Sequence, residues 1–231
     1  MTMSFTRLSQ LFSWPLFLMG HLTLAQENLT GYWQPQVAFN YDVATNYSHN
    51  FSLAKRTYIF LEETSTFEVR QLDLAHFSNL KIAGNQSVGL GIQYRFRNLF
   101  EKDALNELRI TQQYNMTHTS GKLRFGHRLR SEQRITAPIT LHRFRYRFAL
   151  DMPLQGEELN VGETYLVATT ESLLSAARGN TPEYDQRVTL FYGWLLDKGA
   201  KLQLGTEFRS ENYTQDTGYV FFLLTNLVFS L

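Results

Sequence analysis

The feature that most constrains the fold is the stretch LHRFRYRFALDM at residues 141–152, in which cationic and aromatic side chains alternate. Arg143, Arg145 and Arg147 are each separated by one aromatic residue. On a helix this spacing would spread both residue types around the whole cylinder, whereas a β-strand sends alternate side chains to opposite faces. The stretch is therefore predicted to be a strand with one face in an aqueous environment and the other in an apolar one.

Similar alternation recurs along most of the chain. Residues 88–96, 108–116, 122–135 and 187–196 show apolar or aromatic residues on one face and Arg, Gln, Thr or Gly on the other. Short turn signals separate these segments, and no linker or repeat divides them. The pattern indicates one all-β domain.

The first 25 residues have the pattern of an export signal. Arg7 is their only charged residue, an apolar stretch follows it, and the small-residue sequence Thr23-Leu24-Ala25 ends it. A buried N-terminal helix is the alternative. We predict that residues 1–25 are a removed signal peptide and that residues 26–231 form the single domain.

The composition excludes several classes of protein. The chain has no cysteine, so it has neither disulfides nor a thiolate metal site. Without Arg7 its 22 basic residues fall to 21, equal to its 21 acidic residues, so no general attraction to nucleic acid is expected. No apolar run of about 20 residues follows the signal, which excludes helical membrane spans. The sequence predicts no cofactor.

Two exported all-β folds compete, a soluble sandwich or lipocalin-like barrel and a membrane-spanning barrel. Strand-like segments of roughly 11 to 14 residues exceed the usual ~5 to 6 of globular strands, and aromatics recur on the apolar face. An Arg facing lipid at the bilayer midplane would cost roughly 2 to 4 kcal/mol. We therefore predict that the arginines face the lumen of a transmembrane barrel and that the aromatics face lipid.

The strand count follows from closure. The last segment, Tyr219 to Leu231, is a long apolar strand, and pairing it with the first strand would close the sheet and remove both edges. Eleven strand-like segments are visible, whereas single-chain bacterial barrels have even numbers of strands. We expect a closed antiparallel transmembrane β-barrel of 10 or 12 strands, preferably 12, with residues 28–47 as the place of a missing strand.

The central hairpin GKLRFGHRLRSEQR, residues 121–134, followed by HRFRYRFALDMPL, residues 142–154, resembles a family of bacterial exported proteins of unknown function described as outer-membrane β-barrels. The resemblance covers most of the mature chain and implies a Gram-negative outer-membrane location without any activity. The positions that carry it are Arg128, Arg130, Glu132, Arg134, Arg143, Arg145 and Arg147, with weaker similarity at Glu171 and Arg187.

These same charged residues are the candidate site. On the predicted facing they line the lumen together with other cations, and the cations outnumber the carboxylates. One interpretation is a salt-bridged ladder that packs the lumen. The other is a narrow aqueous path that prefers anions. The predicted lumen-lining charges are Arg128, Arg130, Glu132, Arg134, Arg143, Arg145, Arg147, Glu171 and Arg187.

A weak catalytic alternative lies at residues 114–122, YNMTHTSGK. His118 and Ser120 share one face of a strand and resemble the H-x-S element of outer-membrane phospholipases, in which His activates a Ser nucleophile. Gly121 and Lys122 arrive one residue early for that motif, and a plain turn explains the same residues. The histidines show no metal-ligand spacing, so no metal site is predicted.

Two functions follow from this sequence. The first is a non-enzymatic outer-membrane barrel, either a narrow anion-preferring channel or a structural envelope protein. The second is a lipid-modifying hydrolase that uses His118 and Ser120. The expected partners are outer-membrane lipids and, for the channel, small anions.

Overall fold

The computed structural model describes residues 29–62 and 64–231, and this part of the chain is all-β. The predicted signal peptide, residues 1–25, lies outside the described residues. Within the described ranges no helix is long and apolar enough to cross a membrane. Most of the fold consists of long strands joined by short connections. The strands are β1 Leu29–Ala44, β2 Tyr47–Leu61, β3 Thr64–Ser65, β4 Val69–Ala83, β5 Gln86–Phe96, β6 Glu107–Ser120, β7 Leu123–Ile135, β8 Thr140–Pro153, β9 Thr164–Ala177, β10 Glu183–Asp197, β11 Ala200–Glu211 and β12 Gly218–Ser230.

The strands form a closed up-and-down barrel, which confirms the predicted closure. Each long strand pairs antiparallel with the next along the chain, and β12 returns to pair with β1. The two-residue β3 extends only the end of β2. The total of twelve strands therefore matches the preferred number, but eleven of them make the barrel.

The closing pair departs from the predicted antiparallel arrangement. In an up-and-down barrel with an odd number of strands, the first and last strands run in the same direction, so their pairing must be parallel. Leu29 is opposite Tyr219 and Asn40 is opposite Ser230 along this seam, without interruption. The N-terminal segment forms the single strand β1 rather than an additional strand, which corrects the expectation for residues 28–47.

The two ends of the barrel differ in their connections. At one end, here called the turn end, four of the five connections have two residues, as at Gly121-Lys122, where Gly121 has a left-handed φ of 55°. The fifth connection at this end is longer. At the other end, the loop end, every connection is longer than two residues. The turn-end connections are 45–46, 84–85, 121–122, 154–163 and 198–199, and the loop-end connections are 62–68, 97–106, 136–139, 178–182 and 212–217.

The outer surface of the barrel is apolar and the inner surface is polar. On β8, Phe144 and Tyr146 are 52% and 43% exposed, whereas the side chain of Arg145 between them is 10% exposed. This contrast places the aromatic residues outside and the arginine inside. Other exposed outward apolar residues are Val37, Phe39, Phe51, Leu53, Leu74, Leu90, Ile92, Ile110, Leu129, Val188, Leu190, Leu204, Phe208 and Leu223.

Aromatic side chains packed on glycines fill part of the interior. Phe77 is directly opposite Gly91, Tyr165 is opposite Gly193, and a Cβ on either glycine would collide with the facing ring. The same arrangement recurs between β10 and β11 at Phe191 and Gly205. The missing side chains leave room for large rings inside a narrow barrel.

Candidate functional site

The half of the lumen nearest the loop end contains a cavity of about 720 Å³. Its lining comes from ten of the eleven barrel strands, in each case from the part of the strand nearer the loop end or the middle. Because alternate residues of each strand point inward, every second position of these segments reaches the cavity. Ten arginines line it: Arg56, Arg70, Arg95, Arg97, Arg109, Arg134, Arg143, Arg145, Arg187 and Arg209.

One side of the cavity is neutralised by a chain of ion pairs, here called the ion-pair ladder. It begins on β4 and β5, where Arg95 donates from Nε to Asp73 Oδ1 at 2.7 Å and from Nη2 to Oδ2 at 2.8 Å. Glu107 then accepts from Arg109 at 2.5 Å and from Arg134 at 2.7 Å. Each carboxylate of this first half thus contacts at least one guanidinium.

The ladder continues across β7, β8 and β9. Glu132 is 2% exposed and lies 3.2 Å from Arg145 Nη2 and 3.8 Å from Arg109 Nη1. Arg145 also approaches Glu171, with 3.6 Å between Nε and Oε1. Ionised groups buried in this way are stable only when they are paired and hydrogen-bonded. Their pairing makes this side of the lumen a rigid, nearly neutral surface.

A smaller network lies at the rim of the loop end, near the 97–106 connection. Glu101 accepts hydrogen bonds from Tyr58 Oη at 2.7 Å and Arg97 Nη2 at 2.6 Å, and it lies 3.6 Å from Arg70 Nε. Burial opposes ionisation of Glu101, but these hydrogen bonds and the charge of Arg70 outweigh it and lower the pKa of the carboxyl below its usual value. Arg70 also contacts the hydroxyl of Tyr32. The 97–106 connection is therefore tied to the barrel rim by one carboxylate.

The opposite side of the cavity crosses the parallel seam and carries arginines stacked on aromatic rings. The Arg209 guanidinium carbon lies 4.0 Å from the ring centre of the fully buried Phe222, and that of Arg56 lies 4.9 Å from the same centre. Arg56 also lies over Tyr32, and Arg187 is directly opposite Arg209 on the neighbouring strand. We call Tyr32, Arg56, Arg187, Arg209 and Phe222 the seam cluster.

Three further arginines lie inside the barrel towards the turn end. Arg130 donates to Gln113 Oε1 at 2.8 Å and lies over the Phe77 ring, and Arg128 donates to Asn115 Oδ1 at 2.7 Å. Among the described residues, no carboxylate lies within 4.0 Å of Arg128, Arg130 or Arg147. These three arginines thus lie outside the direct ion pairs of the lumen, although Glu171 is directly opposite Arg147 in the register of β8 and β9.

The structure places all the predicted lumen charges on the inner face of β7 to β10. It joins Arg134 and Glu132 to the ion-pair ladder, and it leaves Arg128, Arg130 and Arg147 outside it. Arg143 donates to Ser175 Oγ at 2.7 Å and approaches Asp185 at 3.8 Å, and Arg187 lies 3.9 Å from the same carboxylate.

Several residues that line the cavity were not predicted from the sequence. Arg56, Arg70 and Asp73 lie on β2 and β4, where alternation is less clean because the register shifts between Arg56 and Thr57. Such a bulge moves the following side chains to the other face.

The weak catalytic pair lies on the outer face and is not assembled into a site. His118 stacks on Phe125 at 4.8 Å and on His127 at 6.0 Å between ring centres. No hydrogen bond joins His118 to Ser120 within the described part of the chain. The described residues also contain no group of three or more His, Cys, Asp and Glu residues placed to hold a metal ion.

The outer face also carries an open apolar groove of about 950 Å³. Leu90, Leu129, Phe144, Tyr146 and Leu174 contribute to its lining. A groove of this kind on an exposed apolar surface fits hydrocarbon rather than a charged solute.

Comparison with known proteins gives one match. A family model described as "Protein of unknown function (DUF2490)" matches residues 30–219, which span the barrel from β1 into β12. No curated protein and no solved structure matches the chain significantly.

Proposed function

As a member of the DUF2490 family of proteins of unknown function, the chain inherits no activity, and we propose from its geometry that it is a non-enzymatic outer-membrane β-barrel with an anion-preferring lumen. The observation that carries this proposal is the inside-out distribution of side chains. A soluble barrel directs its apolar face inward and its charges to solvent. This barrel does the reverse.

The outer surface supports insertion into a bilayer. The barrel strands have 11 to 16 residues, and a tilted strand needs about 9 to 11 to cross the hydrocarbon. The closed sheet pairs every strand edge, which a bilayer requires because an unpaired backbone group there costs several kcal/mol. Exposed residues such as Phe144 and Leu190 would otherwise meet water.

The lumen supports a preference for anions. Arginines line the cavity at the loop end, and Arg128, Arg130 and Arg147 continue the positive charge towards the turn end, with no carboxylate of the described residues within 4.0 Å of their guanidiniums. Fixed cations in a confined lumen raise the local concentration of anions and repel cations. The packed rings of Phe77, Tyr165 and Phe191 make the path narrow, so we expect small conductance.

Fractionation and gel migration test the membrane location. The native protein should be recovered with outer membranes, and the folded barrel should migrate differently before and after boiling. Recovery in the soluble periplasmic fraction would contradict the proposal.

Planar bilayers test the lumen. The purified protein should give discrete conductance with a reversal potential that favours chloride over potassium, and Arg130→Gln should move that potential towards zero. Arg178→Gln removes an exposed loop arginine and should leave selectivity unchanged. The absence of conductance over a wide voltage range would contradict the channel and leave a structural role in the envelope.

A further inference from the structure

We propose that the seam cluster is a binding site for a small oxyanion of the phosphate type, reached from the loop end. This inference rests on the proposed function, because it assumes that anions enter the lumen. The proposed function gives the lumen only a general preference for anions, whereas the seam cluster gives one anion site a position and a ligand chemistry.

The first observation is that Arg56 has no acidic partner. Its Nε donates to Gln34 Oε1 at 3.0 Å, and no carboxylate of the described residues lies within 4.0 Å of its guanidinium. No hydrogen bond joins its two terminal amino groups to the described protein atoms. Arg56 lines the cavity, so these donors are available to a ligand there.

The second observation concerns Arg187. Arg187 is 7% exposed and lines the same cavity. No group of the described residues accepts a hydrogen bond from its Nε. Its closest carboxylate among the described residues, Asp185, is 3.9 Å away and lies 3.8 Å from Arg143. A guanidinium buried to this degree without a satisfied Nε–H is costly unless a ligand or water accepts from it.

Aromatic rings orient two arginines of the seam cluster, Arg56 and Arg209. Arg56 and Arg209 both stack near Phe222, and Arg187 is directly opposite Arg209. A guanidinium whose flat face packs on a ring directs its N–H donors sideways, in the fork geometry that matches an oxyanion. Two guanidiniums thus lie near one buried ring on the inner face of the seam, and Arg187 lies beside them on the neighbouring strand β10.

The charge balance defines the ligand class. Glu207 lies 2.5 Å from Arg209, and Glu211, at the rim, lies 3.7 Å from it, so part of the positive charge of the seam cluster is already neutralised. The ion-pair ladder on the other side consists of groups that are engaged with one another. Among the described residues, Arg56 has no carboxylate within 4.0 Å, and Arg187 shares Asp185 with Arg143, so both keep N–H donors that fit the several acceptor oxygens of an oxyanion better than a spherical ion such as chloride.

Isothermal titration calorimetry on the folded, detergent-solubilised protein tests the site. Inorganic phosphate should bind, and Arg56→Gln or Arg187→Gln should weaken binding by about tenfold or more, as expected for lost charged hydrogen bonds. Arg124→Gln is the matched control, because Arg124 is a turn-end arginine bonded to Asp151. Equal weakening in the control, or binding of neither inorganic phosphate nor glycerol 3-phosphate by the wild-type protein, would overturn the proposal.

Two additions keep the test decisive. Arg56→Lys retains the charge for folding and should still weaken binding, because an ammonium group cannot replace the guanidinium fork. Glycerol 3-phosphate distinguishes a phosphomonoester ligand from free phosphate, and binding of either supports the site. Anion-selective conductance without binding of either compound would refute the site and leave the proposed function standing.

Discussion

At the residue scale, Glu132 shows how one carboxylate holds several strands together. It is the most deeply buried acid of the ion-pair ladder and contacts Arg145 and Arg109. Glu132→Gln keeps the size of the side chain and removes its charge, which leaves buried guanidiniums unpaired. We expect a loss of roughly 3 to 5 kcal/mol in the free energy of unfolding, measured by urea denaturation in lipid vesicles. Glu157→Gln, in an exposed connection, should change little, and equal effects would contradict the structural role of the ladder.

Glu101 gives a pH-dependent prediction. Because its pKa is lower in the folded protein than its ordinary value of 4.5, its contribution to stability is complete above that value and is lost as the pH falls through the lowered pKa. The 97–106 connection should therefore loosen in acid. Hydrogen exchange of this segment should accelerate below about pH 4.5 beyond the intrinsic change. Glu101→Gln should show fast exchange at neutral pH as well, and unchanged protection in this variant would contradict the prediction.

At the element scale, glycines on one strand leave space inside the barrel for the aromatic rings of the neighbouring strand. Gly91→Ala and Gly193→Ala would drive a methyl group into Phe77 and Tyr165. We expect each to lower the free energy of unfolding by roughly 1 to 3 kcal/mol, the usual cost of overpacking, visible as a lower temperature of heat-modified migration. Gly126→Ala is the control, because the nearest atom to its new methyl group is Ala149 Cβ at 3.5 Å. A control as destabilised as the two variants would show that strand glycines matter for another reason.

At the scale of the whole molecule, the unequal connections predict an orientation. Outer-membrane barrels have short periplasmic turns and longer extracellular loops. The proposed outer-membrane location therefore predicts that the loop end and its arginine cavity face the outside. The chain has no cysteine, which makes single-cysteine labelling unambiguous. A membrane-impermeant maleimide should modify Thr214→Cys on intact cells and Lys122→Cys only after permeabilisation. The reverse labelling pattern would show that the barrel has the opposite orientation.

The sequence allowed some of these features to be predicted and not others. The alternation in residues 141–152 predicted a strand with sorted faces, because period-two patterning depends on local geometry alone. The seam cluster was not predictable, because Arg56 borders a register shift and its stacking on Phe222 joins distant parts of the chain. The parallel closure was missed because the even-number rule for bacterial barrels outweighed a direct count of eleven segments.

The parallel seam has a consequence for the order of folding. Every other long pairing joins strands that follow each other in the chain, whereas the contact between Trp33 and Thr225 spans 192 residues. Forming such a contact requires the rest of the chain to be arranged first, since loop closure costs entropy that local pairings avoid. We expect β1 and β12 to pair last. Until they pair, the unpaired backbone groups along both strand edges can bind another chain.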